Sequence, residues 1–139
     1  MTQTVADVMT RDPITLAADA SVVEAAQVMR EADIDDVVVC DDDRITGIVT
    51  DRDLVVRALA DARDARLVPL REVLSPSVMT VTPDTDVDDA IRMMREHALR
   101  RLPVVDGDRP VGIVSLGGLA IERDRTSALG DISAASPNA

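Results

Sequence analysis

The chain has 139 residues, 26 acidic against 15 basic side chains for a formal net charge of -11, and 46% hydrophobic residues without one Phe, Tyr or Trp. A field of that sign argues against nucleic acid or a membrane surface as partner, and a core without rings has only Val, Ile, Leu, Met and Ala to fill it. Every cation is Arg, with one Cys (Cys40) and one His (His97), which excludes a P-loop, a Schiff base, a disulfide within the chain and a zinc site of usual ligand spacing.

In chain order, Val5 to Met9 open the sequence, and Ser21-Val-Val-Glu24 then reads as a capping box starting an apolar-periodic helix to about Ala32. Val37-Val38-Val39 is a short continuous apolar run suited to a strand buried on both faces. Cys40 follows it as a core thiol. Asp41 to Arg44 form a polar turn into a strand from Ile45 to Val49, and a second helix runs from Asp51 to about Ala62. Residues 63–69 read as a linker. Beyond it the series repeats: Leu70 to Leu74, a helix opened by Asp86 with His97 near its end, a strand over Leu102 to Val105, a turn at Asp106 to Arg109, a strand over Pro110 to Val114, and a helix from Leu116 to about Arg125. The small, polar tail 126–139 is expected to be mobile.

The repetition is quantitative. A constant offset of 65 residues superposes the chain on itself without a gap from Val8 to Leu54, bringing Met29-Arg30-Glu31 onto Met94-Arg95-Glu96 and Gly47-Ile48-Val49 onto Gly112-Ile113-Val114. Two copies of a βαββα unit follow, spanning 5–62 and 70–125. Each is short for an independent core, so the halves are expected to share one. No run approaches the length of a membrane span, and Met1 to Ala20 lacks the layout of a secretion signal. The location expected is cytoplasmic.

Asp7-Val8-Met9-Thr10 with Gly47-Ile48-Val49-Thr50-Asp51-Arg52-Asp53, and Arg101-Leu102-Pro103-Val104-Val105-Asp106 with Gly112-Ile113-Val114-Ser115, resemble the cystathionine-beta-synthase (CBS) domain. The resemblance covers about Val5 to Arg125 and leaves no room in the sequence for a catalytic domain. It implies an α+β (α/β-like) fold in which two repeats pack with pseudo-twofold symmetry as one module. By the same resemblance the module is a non-catalytic regulatory device that binds AMP, ATP or S-adenosylmethionine, needs no cofactor or metal, forms a homodimer and acts on an unidentified regulated protein.

An adenosyl ligand needs a carboxylate for its ribose hydroxyls, donors for phosphate and an apolar slot for the ring. Thr50 and Asp53, three apart at a helix start, fit ribose and phosphate; Ile48 would line the slot and Arg52 add to the field. The resemblance places Ser75, Val78, Thr80, Leu99 and Arg100 at the same cleft, with Arg100 reading phosphate. The same Thr-x-x-Asp is equally a helix cap, and Arg100-Arg101 is equally an exposed pair offsetting acids. Two departures stand out: Asp53 falls on Gly118, leaving Ser115 without a ribose carboxylate, and Asp35-Asp36 fall on Arg100-Arg101, which disfavours a highly charged ligand such as ATP. The alternative is a ligand-free dimeric scaffold.

Overall fold

The computed structural model describes residues 3–75, 79–115, 117 and 119. The expected helices at Val22 and Val87 and the four strands expected around Val37, Ile45, Leu102 and Pro110 are present. The first copy runs α1 (Val5–Val8), β1 (Thr10–Arg11), β2 (Thr15–Ala17), α2 (Val22–Ala32), β3 (Asp36–Asp41), β4 (Arg44–Thr50) and α3 (Asp51–Leu54). The second runs from a single 3-10 turn, Leu70–Glu72, through α4 (Val87–His97), β5 (Arg101–Asp106) and β6 (Arg109–Ser115). Gly117 and Leu119 are helical, while most of the expected helix to Arg125 and all of the 126–139 tail lie outside the described residues. The fold is α+β, a two-repeat arrangement with two small sheets.

The helices begin and end for local reasons. Ser21 caps α2 by accepting from the Glu24 amide at 3.1 Å. Asp86 occupies the matching place before α4, but its side chain makes no bond to the helix amides, so the expected twin of the Ser21 cap is a twin in position only. Both helices stop at a left-handed residue, Asp33 and Ala98, after which the Ile34 and Leu99 amides donate back to the Met29 and Met94 carbonyls. His97 closes α4. The second helix of the first copy is less regular than its sequence implied. After α3 it widens into a π turn over Val55–Leu59, with the Ala60 amide donating to the Val55 carbonyl, and ends at left-handed Ala62.

One sheet has the order β2-β3-β4 and the other β1-β6-β5, so β1, from the first sequence copy, pairs with the last strand of the second. Thr10 faces Ile113 in that pairing, and 65 residues away the mirrored contact is an isolated bridge between Ser75 and Ile48. Thr4 bridges Asp86 as Pro69 bridges Ser21. The opening segments of the two copies are therefore exchanged. Compact units follow this exchange and not the repeats: among the described residues, one lies within Ile14–Val78 and the other comprises residues 3–13 with those from Met79 to Leu119.

Two buried clusters take the place of the single shared core expected from chain length. The Ile14–Val78 unit packs Val22, Ala25 and Met29 of α2 against Val37, Val39 and Val49, and closes with Leu70, Val73 and Leu74. In the other unit Val87, Ala90 and Met94 pack against Leu102, Val104 and Val114, and Val5 closes the cluster. The sharing is by segment: each core is completed by the head of the other copy. Val5 and Leu70 are both wholly buried, and burying an aliphatic side chain of this size contributes about 1.5–3 kcal/mol.

The exchanged segments pass close over β4 and β6, which explains the glycine of each Gly-Ile-Val motif. A Cβ on Gly47 would stand 2.7 Å from the Ser75 carbonyl oxygen, and one on Gly112 would stand 2.9 Å from that of Thr10. Beside each glycine the strand register shifts, between Val39 and Cys40 in one sheet and between Val104 and Val105 in the other, as at a β-bulge. Gly47→Ala and Gly112→Ala are each expected to cost about 1–3 kcal/mol through this backbone clash. Urea unfolding of each variant against the parent measures the loss.

Candidate functional site

β4 turns directly into α3, and the junction brings together the side chains singled out in the first copy. Along β4 the face alternates: Val49 enters the core, while Ile48 and Thr50 lie on the opposite face. Their register partners on β3 are Val38 and Asp36. Val38 is wholly buried but stands outside the adjoining core cluster, so it extends an apolar strip on the Ile48 face. Nothing in a single sequence flagged Val38; its relation to Ile48 is set by strand register.

Thr50 and Asp53 form a reciprocal cap. The Thr50 amide donates to Asp53 Oδ2 at 2.9 Å and the Asp53 amide donates to Thr50 Oγ1 at 3.2 Å. The capping role weighed for this pair is therefore present. It does not exhaust either side chain. A carboxylate offers about four lone-pair sites, and Thr50 uses its oxygen as an acceptor, which leaves the hydroxyl proton to be donated. Asp53 Oδ1 lies 3.6 Å from Arg57 Nε, and the carboxylate side chain is 14% exposed. Arg52 is exposed on the helix, and its amide donates to Asp51 Oδ1 at 2.8 Å.

Ser75 joins this group through the backbone, its amide donating to the Ile48 carbonyl at 3.3 Å. Ile48, Thr50, Arg52, Asp53 and Ser75 thus belong to one compact unit, whereas Thr80, Leu99 and Arg100 belong to the other. There, Leu99 is half-buried against the core cluster, Thr80 is half-buried and Arg100 is exposed just before β5. Val78 lies outside the described residues.

The two units differ in charge at matched places. Asp36 stands opposite Thr50 at the end of the β3–β4 pair, and Arg101 stands opposite Ser115 at the end of the β5–β6 pair. Gly118, which follows in place of Asp53, lies outside the described residues. Among the described residues no group of three or more His, Cys, Asp or Glu is placed to hold a metal ion, and no helix is long and apolar enough to cross a membrane. Cys40 is buried, and burial together with neighbouring Asp43 pushes its thiol pKa up, away from the thiolate that would make it a nucleophile.

Comparison with known proteins agrees with the duplicated architecture. The CBS domain family matches residues 5–59 and again 70–122. A CBS domain-containing protein of Bacillus subtilis, YhcV, is 35% identical over 119 residues, covering 86% of this chain and 84% of its own. The crystal structure of Hypoxic Response Protein I with two coordinated zinc ions is similar at a TM-score of 0.77 and 34% identity, over 86% of this chain and 98% of that one. The CBS domain pair of protein MJ0100, in complex with 5′-methylthioadenosine and S-adenosyl-L-methionine, is similar at a TM-score of 0.81 and 26% identity, over 91% of this chain and 100% of that one. The chain belongs to the CBS domain family and carries two of its domains in tandem.

The cap has a contribution to stability that is separable from any ligand. Thr50→Ala is expected to cost about 0.5–2 kcal/mol in ligand-free protein, with Thr50→Ser keeping most of the parent's stability. Thermal melts of both variants in the absence of nucleotide test it.

Proposed function

We propose that this chain is a non-catalytic, ligand-sensing CBS pair that takes an adenosyl ligand at one site, built on Asp53, and acts in the cytoplasm, where its lone thiol stays reduced. The observation that carries this reading is the β4–α3 junction: a capped carboxylate with unused lone pairs, a threonine with a hydroxyl proton to donate, and an apolar strip over Ile48 and Val38. Asp53 accepts the ribose hydroxyls, Thr50 donates to the next group along, and Ile48 flanks the ring. Asp36, the register partner of Thr50, adds negative charge where a polyphosphate would extend. That favours S-adenosylmethionine, with its cationic sulfonium, or AMP over ATP. The S-adenosylmethionine and methylthioadenosine held by the MJ0100 pair support this chemistry. Assignment of Val78, Thr80, Leu99 and Arg100 to the same ligand rests on family resemblance.

Binding is expected to saturate at one ligand per chain, because Gly118 replaces the ribose carboxylate in the second copy. Asp53→Ala should cost about 1.5–3 kcal/mol, or tenfold and more in affinity. Asp53→Asn keeps volume and part of the capping, and so separates loss of ligand from loss of helix. Arg100→Ala should weaken AMP more than adenosine. Titration calorimetry with adenosine, AMP and S-adenosylmethionine measures all three, and absence of binding at millimolar concentration would sink the adenosyl reading.

A scaffold reading has one observation in its favour. Val55, Val56 and Leu59, all on the π turn, are 53%, 48% and 70% exposed, and Leu67 beyond it is 78% exposed. We propose that this face pairs two copies of the chain as a homodimer, through which the pair also presents itself to a regulated protein. Sedimentation should give twice the chain mass, and Leu59→Asp should return the species to one chain. A parent that sediments as a single chain at micromolar concentration would refute the dimer.

A further inference from the structure

Arg57 lies one helical turn beyond Asp53 and faces two groups at once. Its Nε stands 3.6 Å from Asp53 Oδ1, and its Nη1 donates to the Leu74 carbonyl at 3.3 Å. Leu74 and Ser75 are the end of the exchanged segment, held against β4 by the Ser75 amide and packed over Gly47. A guanidinium is suited to this double contact, because its planar fork presents several donors in fixed directions. With Thr50 taking Oδ2 and Arg57 facing Oδ1, the carboxylate is held from both sides.

The second copy does not reproduce this arrangement, since at the 65-residue offset Asp53 falls on Gly118.

We infer that Arg57 is a positioning residue: it fixes the Asp53 carboxylate for a ligand and ties it to the Leu74–Ser75 segment, so that occupancy at Asp53 and order in that segment are coupled. This rests on the adenosyl reading for its ligand arm but not for its structural arm. Because coupling free energies are reciprocal, a ligand on Asp53 should protect the Ser75 amide, and loosening Leu74 should weaken the ligand.

Amide hydrogen exchange by NMR on the full chain tests the structural arm without any ligand. In Arg57→Ala, exchange at the Thr50 and Ser75 amides should quicken severalfold while the core amides of Val39 and Val49 are unchanged. Arg57→Lys carries a single ammonium that can reach Asp53 but cannot serve the Leu74 carbonyl in the same geometry. It should restore Thr50 protection and leave Ser75 fast. For the ligand arm, adenosine affinity should fall about fivefold in Arg57→Ala, recover in part in Arg57→Lys, and show no further fall when Arg57→Ala is added to Asp53→Asn. Unchanged exchange at Thr50 and Ser75 overturns the inference whatever binds. Faster exchange in a protein whose parent binds no adenosyl compound upholds the positioning role and overturns only the adenosyl site. Equal losses of adenosine affinity in the Asp53→Asn background and in the parent overturn the action through Asp53.

Discussion

Val5 and Leu70 are each wholly buried in the unit made mainly of the other sequence copy, and much of the rest of the architecture adjusts to that crossing. For the segments to lie against β4 and β6 their backbones must pass within contact distance of a strand residue that lacks a side chain, which fixes Gly47 and Gly112. The register shifts beside those glycines bend the strands at the same level in both sheets. The same crossing carries Ser75 alongside Ile48 and so adds a backbone edge to the β4–α3 junction. A family motif that reads as a ligand signature is thus, at its first residue, a packing requirement. Only from Ile48 onward does it present groups able to meet a small molecule.

Duplication has preserved the frame and let the chemistry drift. Helix lengths, left-handed stops and strand registers coincide between copies, because they depend on apolar periodicity and backbone geometry common to both. The strand ends depend on neither. Asp36 with Thr50 and Arg101 with Ser115 occupy the same register position with opposite charge, and such exchanges at a half-exposed strand end disturb the core little. Function is carried by a few side chains placed on the scaffold and not by the scaffold itself, so a duplicated frame is free to hold two unlike sites.

Much of this was legible in the residues. The 65-residue offset, the capping signal at Ser21 and the continuous apolar runs located α2, α4 and the strands β3 to β6 to within about two residues, since each follows from local periodicity. Asp86 showed the limit of position matching: an acid at the right place does not guarantee a cap bond. What could not be read was anything set by crossing or register. That the opening segments trade places, that two cores form where one was expected, that Val38 continues the Ile48 face and that Arg57 meets both Asp53 and Leu74 all arise from contacts between residues far apart in sequence or from the pitch of one widened turn. At Thr50 and Asp53 the residue types left two roles open, and the structure shows that the first, capping, leaves acceptor and donor capacity for the second.

The exchange also dictates an order of events during synthesis. The Ile14–Val78 unit has all of its contributors once the chain has grown past Leu74, whereas Val5 and the strand Thr10–Arg11 must wait for partners as distant as Ile113. At about 5–20 residues per second, roughly 5–20 s separate the emergence of the first segment from that of its partner strand. Through that interval a segment that has already left the ribosome is without its partner strand. Such long-range closure is slow, and it leaves a short apolar stretch exposed to chaperones, or to the corresponding sheet of another nascent chain.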